Sequence, residues 1–388
     1  MSVTTPKGFV AGAVHCGIRK KHRLDLAVVR SLLPATGAAM FTSNRVLAAP
    51  VVVSREHLEL AQPQAVVANS GVANAATGER GLLDARATAA EAGRVLELDV
   101  EEVLVLSTGV IGAPRPLANV LAGVRSAAGR LDGGGGGDAA RAIMTTDTQP
   151  KQAAVRGSGF VVGGMAKGSG MIHPQLATML AVLTTDYPLE PGEAIEVLQP
   201  AVDVSFNAIS VDGECSTNDA VILLANSASG VPRTPARDAE LALSVREVCG
   251  RLAKLIVADG EGATVLAEIK VRGAASYPQA RAIAERVATS PLVKTALHGR
   301  DANWGRIAAA AGSAKYGAGF AELDPERLSI AIQGVAVLVE GRPSGREPAL
   351  SNGRCAIELD LALGEGSARY LTTDLSYDYV RINAEYRS

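Results

Sequence analysis

Aromatic residues are scarce in this sequence. Its 388 residues include one Trp and five Phe, although 47% are hydrophobic. A core with so few rings must be aliphatic and closely spaced, as in stacked sheets and helices. Excess charge of one sign is missing as well: 38 Lys and Arg against 40 Asp and Glu leave a formal charge of −2. That balance offers no footing for nucleic acid or an anionic membrane. No apolar run approaches the ~18 residues of a membrane-spanning helix. The opening Met-Ser-Val-Thr-Thr-Pro-Lys has neither the basic nor the apolar region of a secretory signal. A soluble, cytoplasmic protein with no nucleic-acid or membrane partner is the expectation.

Metal, disulfide and nucleotide signatures are also missing. Cys16, Cys215, Cys249 and Cys355 are widely scattered, with no Cys-x-x-Cys pair. His15, His22, His57, His173 and His298 show no HExxH spacing. Buried free thiols and no metal site are expected. Lys167 is followed by Gly168 rather than Ser or Thr, which rules out a phosphate loop, and no GxGxxG stands between a strand and a helix. No internal repeat is evident.

The length suits two domains or two packed halves. Residues 9–14, 26–29, 37–42 and 48–53 read as short strands. The basic cluster from Arg19 to Arg23 reads as a solvated hairpin or, less simply, an anion site. Ala65 to Ala68 and Val103 to Leu106 read as buried strands. Each runs into a small, polar, Gly-containing segment where backbone N–H groups are left free to bind. Asp84 is placed as the cap of a helix to about Leu96, with Ala87, Ala90 and Val95 among its buried positions. Gly133 to Gly137 reads as a flexible linker. The longest helix is expected from about Ala236 to Ile256. Val265, Ala267, Ile269 and Val271 alternate on one strand face, and Ile357, Leu359, Leu361 and Leu363 on another. The chain end, rich in Tyr, reads as docked.

One stretch holds the chemistry. From Lys167 a glycine-rich loop runs through Pro174 to Ala177-Thr178 and into an apolar strand. It reads either as an ordinary turn or as a self-cleavage site. In the second reading glycines allow strained backbone, and the Thr178 hydroxyl attacks the carbonyl before it. Cleavage would then free an α-amine beside that hydroxyl.

Several motifs recur together in one order: NSGVANAATG at 69–78, STGVIG at 107–112, MTTDTQPK at 144–151 and GGMAKGSGMIHPQLATML at 163–180. SFNAISVDGECSTND at 205–219, DGEG at 259–262, DANWGR at 301–306 and a terminal INAEYRS follow. Together they make the chain closely resemble the ornithine acetyltransferase (glutamate N-acetyltransferase) family over essentially its whole length. The resemblance implies an α/β, layered α-β-β-α fold shared with L-aminopeptidase D-esterases, with a smaller C-terminal α/β part from about residue 265. It implies self-cleavage between Ala177 and Thr178 into chains 1–177 and 178–388, and an α2β2 assembly.

Carried to this sequence, Thr178 is the nucleophile, and Thr108 and Gly109 form the oxyanion hole. Thr145, Lys167, Glu261, Asn383 and Ser388 contact substrate, as does Thr178; Thr146 and Thr148 share the hydroxyl-rich turn with Thr145. The implied reaction moves acetyl from N-acetylornithine to glutamate through an acetyl-Thr ester. No cofactor is implied, with acetyl-CoA a co-substrate if the enzyme is bifunctional. An amidase or aminopeptidase of the same superfamily, a paralogue of secondary metabolism, and a binding protein matured by cleavage are the alternatives.

Overall fold

The computed structural model describes residues 1–19, 22–173, 179–351 and 353–385. In chain order the strands begin with β1 (Phe9–Val14), β2 (Leu26–Ser31), β3 (Thr36–Phe41), β4 (Ala65–Val72), β5 (Val103–Val110) and β6 (Lys151–Arg156). Then come β7 (Val161–Lys167), β8 (Leu180–Thr185), β9 (Ile209–Ser210), β10 (Ala220–Ala225), β11 (Val265–Ala274) and the short pair β12 (Lys315–Tyr316) and β13 (Gly319–Phe320). The last are β14 (Ser329–Ile332), β15 (Val335–Val339), β16 (Arg342–Pro343), β17 (Gly353–Asp360) and β18 (Gly366–Thr373). The helices are α1 (Ala49–Leu60), α2 (Gly78–Leu96), α3 (Leu117–Ala128), α4 (Gly136–Ala142) and α5 (Glu193–Asp203). They continue with α6 (Pro235–Ala258), α7 (Tyr277–Ala288), α8 (Pro291–His298), α9 (Trp304–Gly312) and α10 (Tyr377–Glu385). The chain divides into two compact units: Met1–Asn207 with Glu214–Ile256, and Ala208–Gly213 with Val257–Tyr386.

The first unit stacks two sheets, ordered β1-β2-β4-β5 and β3-β10-β8-β7-β6. Phe9, Ala27, Val29, Val66, Leu104 and Leu106 of one meet Met165, Leu180, Val182, Ile222 and Leu224 of the other in a dry core. On the far face of the first sheet, Leu26, Val28, Val67, Val103 and Val105 pack on Val53, Ala85, Ala89, Ala92, Val120 and Val124 of α1, α2 and α3. Over the second sheet, α5 lies along β3 and β10, and Arg251 of α6 donates to the Ala154 carbonyl of β6. These are the expected α-β-β-α layers. Strands covered on both faces read as unbroken apolar runs such as Ala220–Ala225, AVILLA.

Four local expectations are corrected. Residues 48–53 open helix α1 instead of forming a strand. Pro50 sits in its first turn, where its missing N–H costs nothing, and a short buried Val run carries no period to separate helix from strand. Helix α2 begins at Gly78, six residues before Asp84, and Asp84 is buried inside it. Its buried face is Ala85, Ala89, Ala92 and Leu96; Ala90 is exposed, and Ala87 and Val95 are half-buried. Gly133–Gly137 is no linker: Asp132 and Ala11 exchange backbone hydrogen bonds, and a Cβ on Gly135 would lie 1.9 Å from the Ala11 oxygen. Here glycine serves close backbone approach. Finally, His22 and Arg23 are solvated as expected, but Arg19 turns inward, and its guanidinium donates to the Met144 and Thr145 carbonyls.

The second unit is built on a seven-stranded sheet, β16-β15-β14-β17-β11-β18-β9, and also holds the short pair β12-β13. The expected alternation is present: Val265, Ala267, Ile269 and Val271, with Ile357, Leu359 and Leu361, face Ala280, Ile283, Ala284 and Val287 of α7. The other face of β11, β17 and β18 carries Glu268, Lys270, Arg272, Glu358, Asp360 and Arg369 as ion pairs. Trp304 is partly buried against the same core. The chain end forms α10, which buries none of its described side chains. Hydrogen bonds tether it rather than apolar docking, Ser376 Oγ just before it donating to the Gly262 carbonyl at 2.7 Å and Asn383 Nδ2 within it donating to Glu261 Oε2.

Candidate active site

The ends of β4 and β5 bring NSGVANAATG and STGVIG together. Ser70 pairs with Thr108 and Gly71 with Gly109, after which the register shifts in a bulge at Val72. Gly71 and Gly109 have φ of +107° and +132°. A Cβ on Gly109 would stand 2.3 Å from the Gly71 carbonyl carbon, so only glycine fits. A bulge at a strand end takes N–H groups out of the ladder and re-aims them, as an oxyanion site requires. Asn218 fixes this edge from outside, its Nδ2 donating to the carbonyls of Ala73 at 2.7 Å and Ser107 at 2.8 Å.

Beside it lies a buried charge cluster. Lys167 ends β7 at 2% exposure. The Asp147 carboxylate accepts from the N–H of Thr145 at 2.9 Å, the N–H of Gly168 at 2.8 Å and Lys151 Nζ at 2.5 Å. Burial works to raise its pKa, yet the ammoniums of Lys151 and Lys167 and the Gly168 N–H outweigh it and hold the carboxyl below its ordinary value. Thr145 and Thr146 are half-buried and Thr148 is exposed; the Thr145 N–H is tied to the cluster. A second carboxylate, Asp219, accepts from the Met179 N–H at 2.8 Å, and the Ala220 N–H donates to the Met179 carbonyl. The residue following Thr178 is thereby held on both its N–H and its C=O. Burial pushes Asp219 well above the usual carboxylate range, only partly countered by Lys167 and that N–H; its Oδ2 is buried without a hydrogen-bond partner.

Two bridges therefore join the four sequence-derived residues of this unit. Asn218-Asp219 spans from Ser107, beside Thr108-Gly109, to Met179 and Lys167. Asp147 spans from Thr145 to the Lys167-Gly168 corner. Strands β7 and β8, on either side of the expected cut, pair antiparallel from Lys167 with Leu180 to Val162 with Thr185. Ala177, Thr178 and Ser388 lie outside the described residues. In the loop before them Met171 has φ of +57°, a left-handed conformation that is costly for a non-glycine residue and is found where strain is held for function.

In the second unit, Asn383 Nδ2 donates to Glu261 Oε2 at 2.9 Å, so two further sequence-derived residues adjoin. Gly262, with φ of +66°, allows the approach; a Cβ there would meet the Tyr379 nitrogen at 2.4 Å. Lys294 is buried in the same unit, bonded to Thr372 Oγ1, Thr373 Oγ1 and the Thr373 carbonyl. Burial lowers its pKa to about 8, against the pull of Asp374 and Asp212.

Sequence reasoning gave no role to Asp147, Lys151, Asn218 or Asp219, and placed Arg19 only in a basic cluster read as a solvated hairpin or an anion site. A signal was present for two of them: Asp147 stands alone among hydroxyls, and Asp219 directly precedes the buried strand AVILLA, where an acid is out of place unless it is used.

Fold and site together define the class, a layered α/β enzyme built for acyl transfer. The ArgJ family pattern matches residues 10–388. The chain is 45% identical over 400 residues to the arginine biosynthesis bifunctional protein ArgJ of Symbiobacterium thermophilum, covering 100% of this chain and 98% of that one. It is 46% identical over 397 residues to the protein of the same name in Mycolicibacterium paratuberculosis, covering 100% and 96%. Among solved structures, the ornithine acetyltransferase of Mycobacterium tuberculosis complexed with ornithine is 44% identical, with a TM-score of 0.44, over 45% of this chain and 94% of that one. The chain belongs to the ArgJ family.

Proposed function

We propose that this chain is an acetyltransferase of arginine biosynthesis that cleaves itself between Ala177 and Thr178 and then moves acetyl from N-acetylornithine to glutamate. The observation that carries the reading is the convergence of Thr108-Gly109, Thr145 and Lys167 around the described flanks of Thr178 in a member of the ArgJ family. The Thr178 hydroxyl attacks the acetyl carbonyl while its own α-amine takes the proton; a free α-amino group ordinarily titrates near about pH 8. Close to working pH, such an amine is a suitable general base, and the Lys167 charge favours its neutral form. The oxyanion of the tetrahedral intermediate rests on donors at Thr108 and Gly109, one such donor being worth about 3 kcal/mol. The intermediate collapses to the acetyl-Thr ester, and the returned proton leaves with the amine of ornithine. The glutamate amine then attacks the ester and regenerates the Thr178 hydroxyl. Glu261 and Asn383 offer a carboxylate and an amide suited to the ammonium and carboxylate of an amino acid; Ser388 is the remaining substrate contact in this reading.

The relatives carry the word bifunctional in their names, which supports acetyl-CoA as a second acetyl donor to glutamate without any other cofactor. The paired strands on either side of the cut would keep chains 1–177 and 178–388 together after cleavage, as the building block of an α2β2 assembly in the cytoplasm. Among the described residues no helix is long and apolar enough to cross a membrane.

The test is direct. Purified protein supplied with N-acetylornithine and glutamate should yield N-acetylglutamate and ornithine; free acetate alone would mean hydrolysis, as in an amidase. Two clean fragments without turnover would favour the binding protein. Thr178→Ala should remain one 388-residue chain on a denaturing gel; scission at the same bond would remove Thr178 from its role.

A further inference from the structure

Arg19 lies between β1 and β2, where one buried carboxylate holds the backbone of residues 16–19. Asp25 accepts from the N–H groups of Cys16 at 2.7 Å, Ile18 at 2.9 Å and Arg19 at 3.0 Å. The Asp25 backbone is held in turn, its N–H donating to the Val14 carbonyl and its carbonyl accepting from the Ser70 N–H, both at 2.9 Å. Residues 16–19 are therefore held, through Asp25, to β1 and to the NSG segment of β4. From this base Arg19 Nη1 donates to the Met144 carbonyl at 2.8 Å and Nη2 to the Thr145 carbonyl at 3.0 Å.

The stem of the same side chain crosses the bulge. A Cβ on Gly71 would lie 2.9 Å from Arg19 Cγ, and Gly71 is in register with Gly109. One residue thus touches the strand end behind Thr108-Gly109 and the backbone of Thr145. Thr145 is gripped on its N–H by Asp147 and on its C=O by Arg19, which leaves its side-chain direction little freedom. A planar guanidinium fork can serve two successive carbonyls at once, whereas an ammonium is a point donor.

We propose that Arg19 is a positioning residue of the acyl-transfer site, setting Thr145 against the Thr108-Gly109 edge. The proposal rests on the acetyl-transfer reading for what the site does, though its contacts do not depend on it. A displacement of about 1 Å in a site of this kind costs on the order of a hundredfold in rate.

Arg19→Met keeps the stem over Gly71 and removes both donors. In the purified enzyme it should lower kcat/KM for N-acetylornithine about ten- to a hundredfold, mainly through KM, with an unchanged melting temperature. Arg19→Lys, retaining one donor, should fall between the two. Amide hydrogen exchange in the segment 143–149 should quicken in Arg19→Met while β4 and β5 keep their protection. Faster exchange with unaltered kinetics would reduce Arg19 to a structural clamp and overturn the proposal; unaltered exchange would overturn the clamp itself. If Arg19→Met fails to fold, the Arg19→Lys variant decides, and wild-type kinetics there would overturn the role. A wild type that transfers no acetyl refutes the functional reading, and Arg19 is then judged by the exchange of 143–149 alone.

Discussion

The two units treat charge in opposite ways. In the second, Lys270 sits 3.6 Å from Glu358 and Arg272 2.8 Å from Asp360, on a sheet face open to water. In the first, Asp147, Lys151, Lys167 and Asp219 are all at most 4% exposed. An ion on a solvated face has water as its partner and can be exchanged at little cost. An ion in a covered layer loses several kcal/mol of hydration and persists only where donors and opposite charges surround it. The buried set is therefore where the first unit gives up stability to hold charge. Lys294 shows the same logic in the second unit, where three oxygens of Thr372 and Thr373 surround a buried ammonium.

The harshest way to break the contrast is to remove the centre of the buried cluster. Asp147→Ala leaves Lys151, itself at 0% exposure, without the carboxylate it contacts at 2.5 Å, and frees the N–H groups of Thr145 and Gly168. Breaking a buried pair from one side costs about 3–5 kcal/mol. Urea titration should report a loss of that size, and acetyl transfer should fall with it because Thr145 and the Lys167-Gly168 corner lose their common anchor. The folded pKa of Asp147 is depressed. Its stabilisation is thus present above the unfolded carboxylate pKa of about 4 and is lost as pH falls through the lower folded value. The gap between variant and wild type should narrow only in strong acid.

Asp219→Asn tests the opposite case and should have a smaller effect of opposite sign. The folded pKa of Asp219 is raised, so above about pH 4 the folded state holds a proton that the unfolded chain has released. Stability then falls as pH rises through that range. Asn keeps an acceptor for the Met179 N–H but cannot titrate. The variant should match the wild type near pH 4 and exceed it by on the order of 1 kcal/mol at pH 7. Urea midpoints at the two pH values check this, and an equal gap at both would contradict a protonated Asp219.

How much was legible in the sequence follows the same division. The second unit could be read from alternation because one face of its sheet is wet: Val265, Ala267, Ile269 and Val271 announce a strand without outside help. In the first unit both faces are covered, so residues 48–53 gave the same apolar signal whether helical or extended. The helix phase of α2 slipped because alanines fill its buried and exposed faces alike. At the site, Thr108-Gly109, Thr145 and Lys167 were recognisable as motifs. Their supports were not, since the partners lie far apart along the chain: Asp147 and Gly168 are 21 residues apart, Asp219 and Met179 40, Arg19 and Thr145 126. No local pattern records a hydrogen bond of that reach.

The mildest perturbation belongs to the charge ladder. Lys270 is half-exposed and lies 3.6 Å from Glu358 and 4.0 Å from Glu268, and Arg369 contacts Glu268 at 2.7 Å. Lys270→Ala removes a cation that water already solvates, and Arg369 remains to face Glu268. Exposed pairs of this kind contribute about 0.2–1 kcal/mol, and that value should shrink further at 1 M salt, where the screening length falls to about 3 Å. Urea titrations of Lys270→Ala at low and high salt should therefore converge on the wild type, whereas salt should do little for Asp147→Ala, whose pair has both side chains at 0% exposure. If Lys270→Ala proved as costly as Asp147→Ala, exposure would not be what separates the two sets of charges.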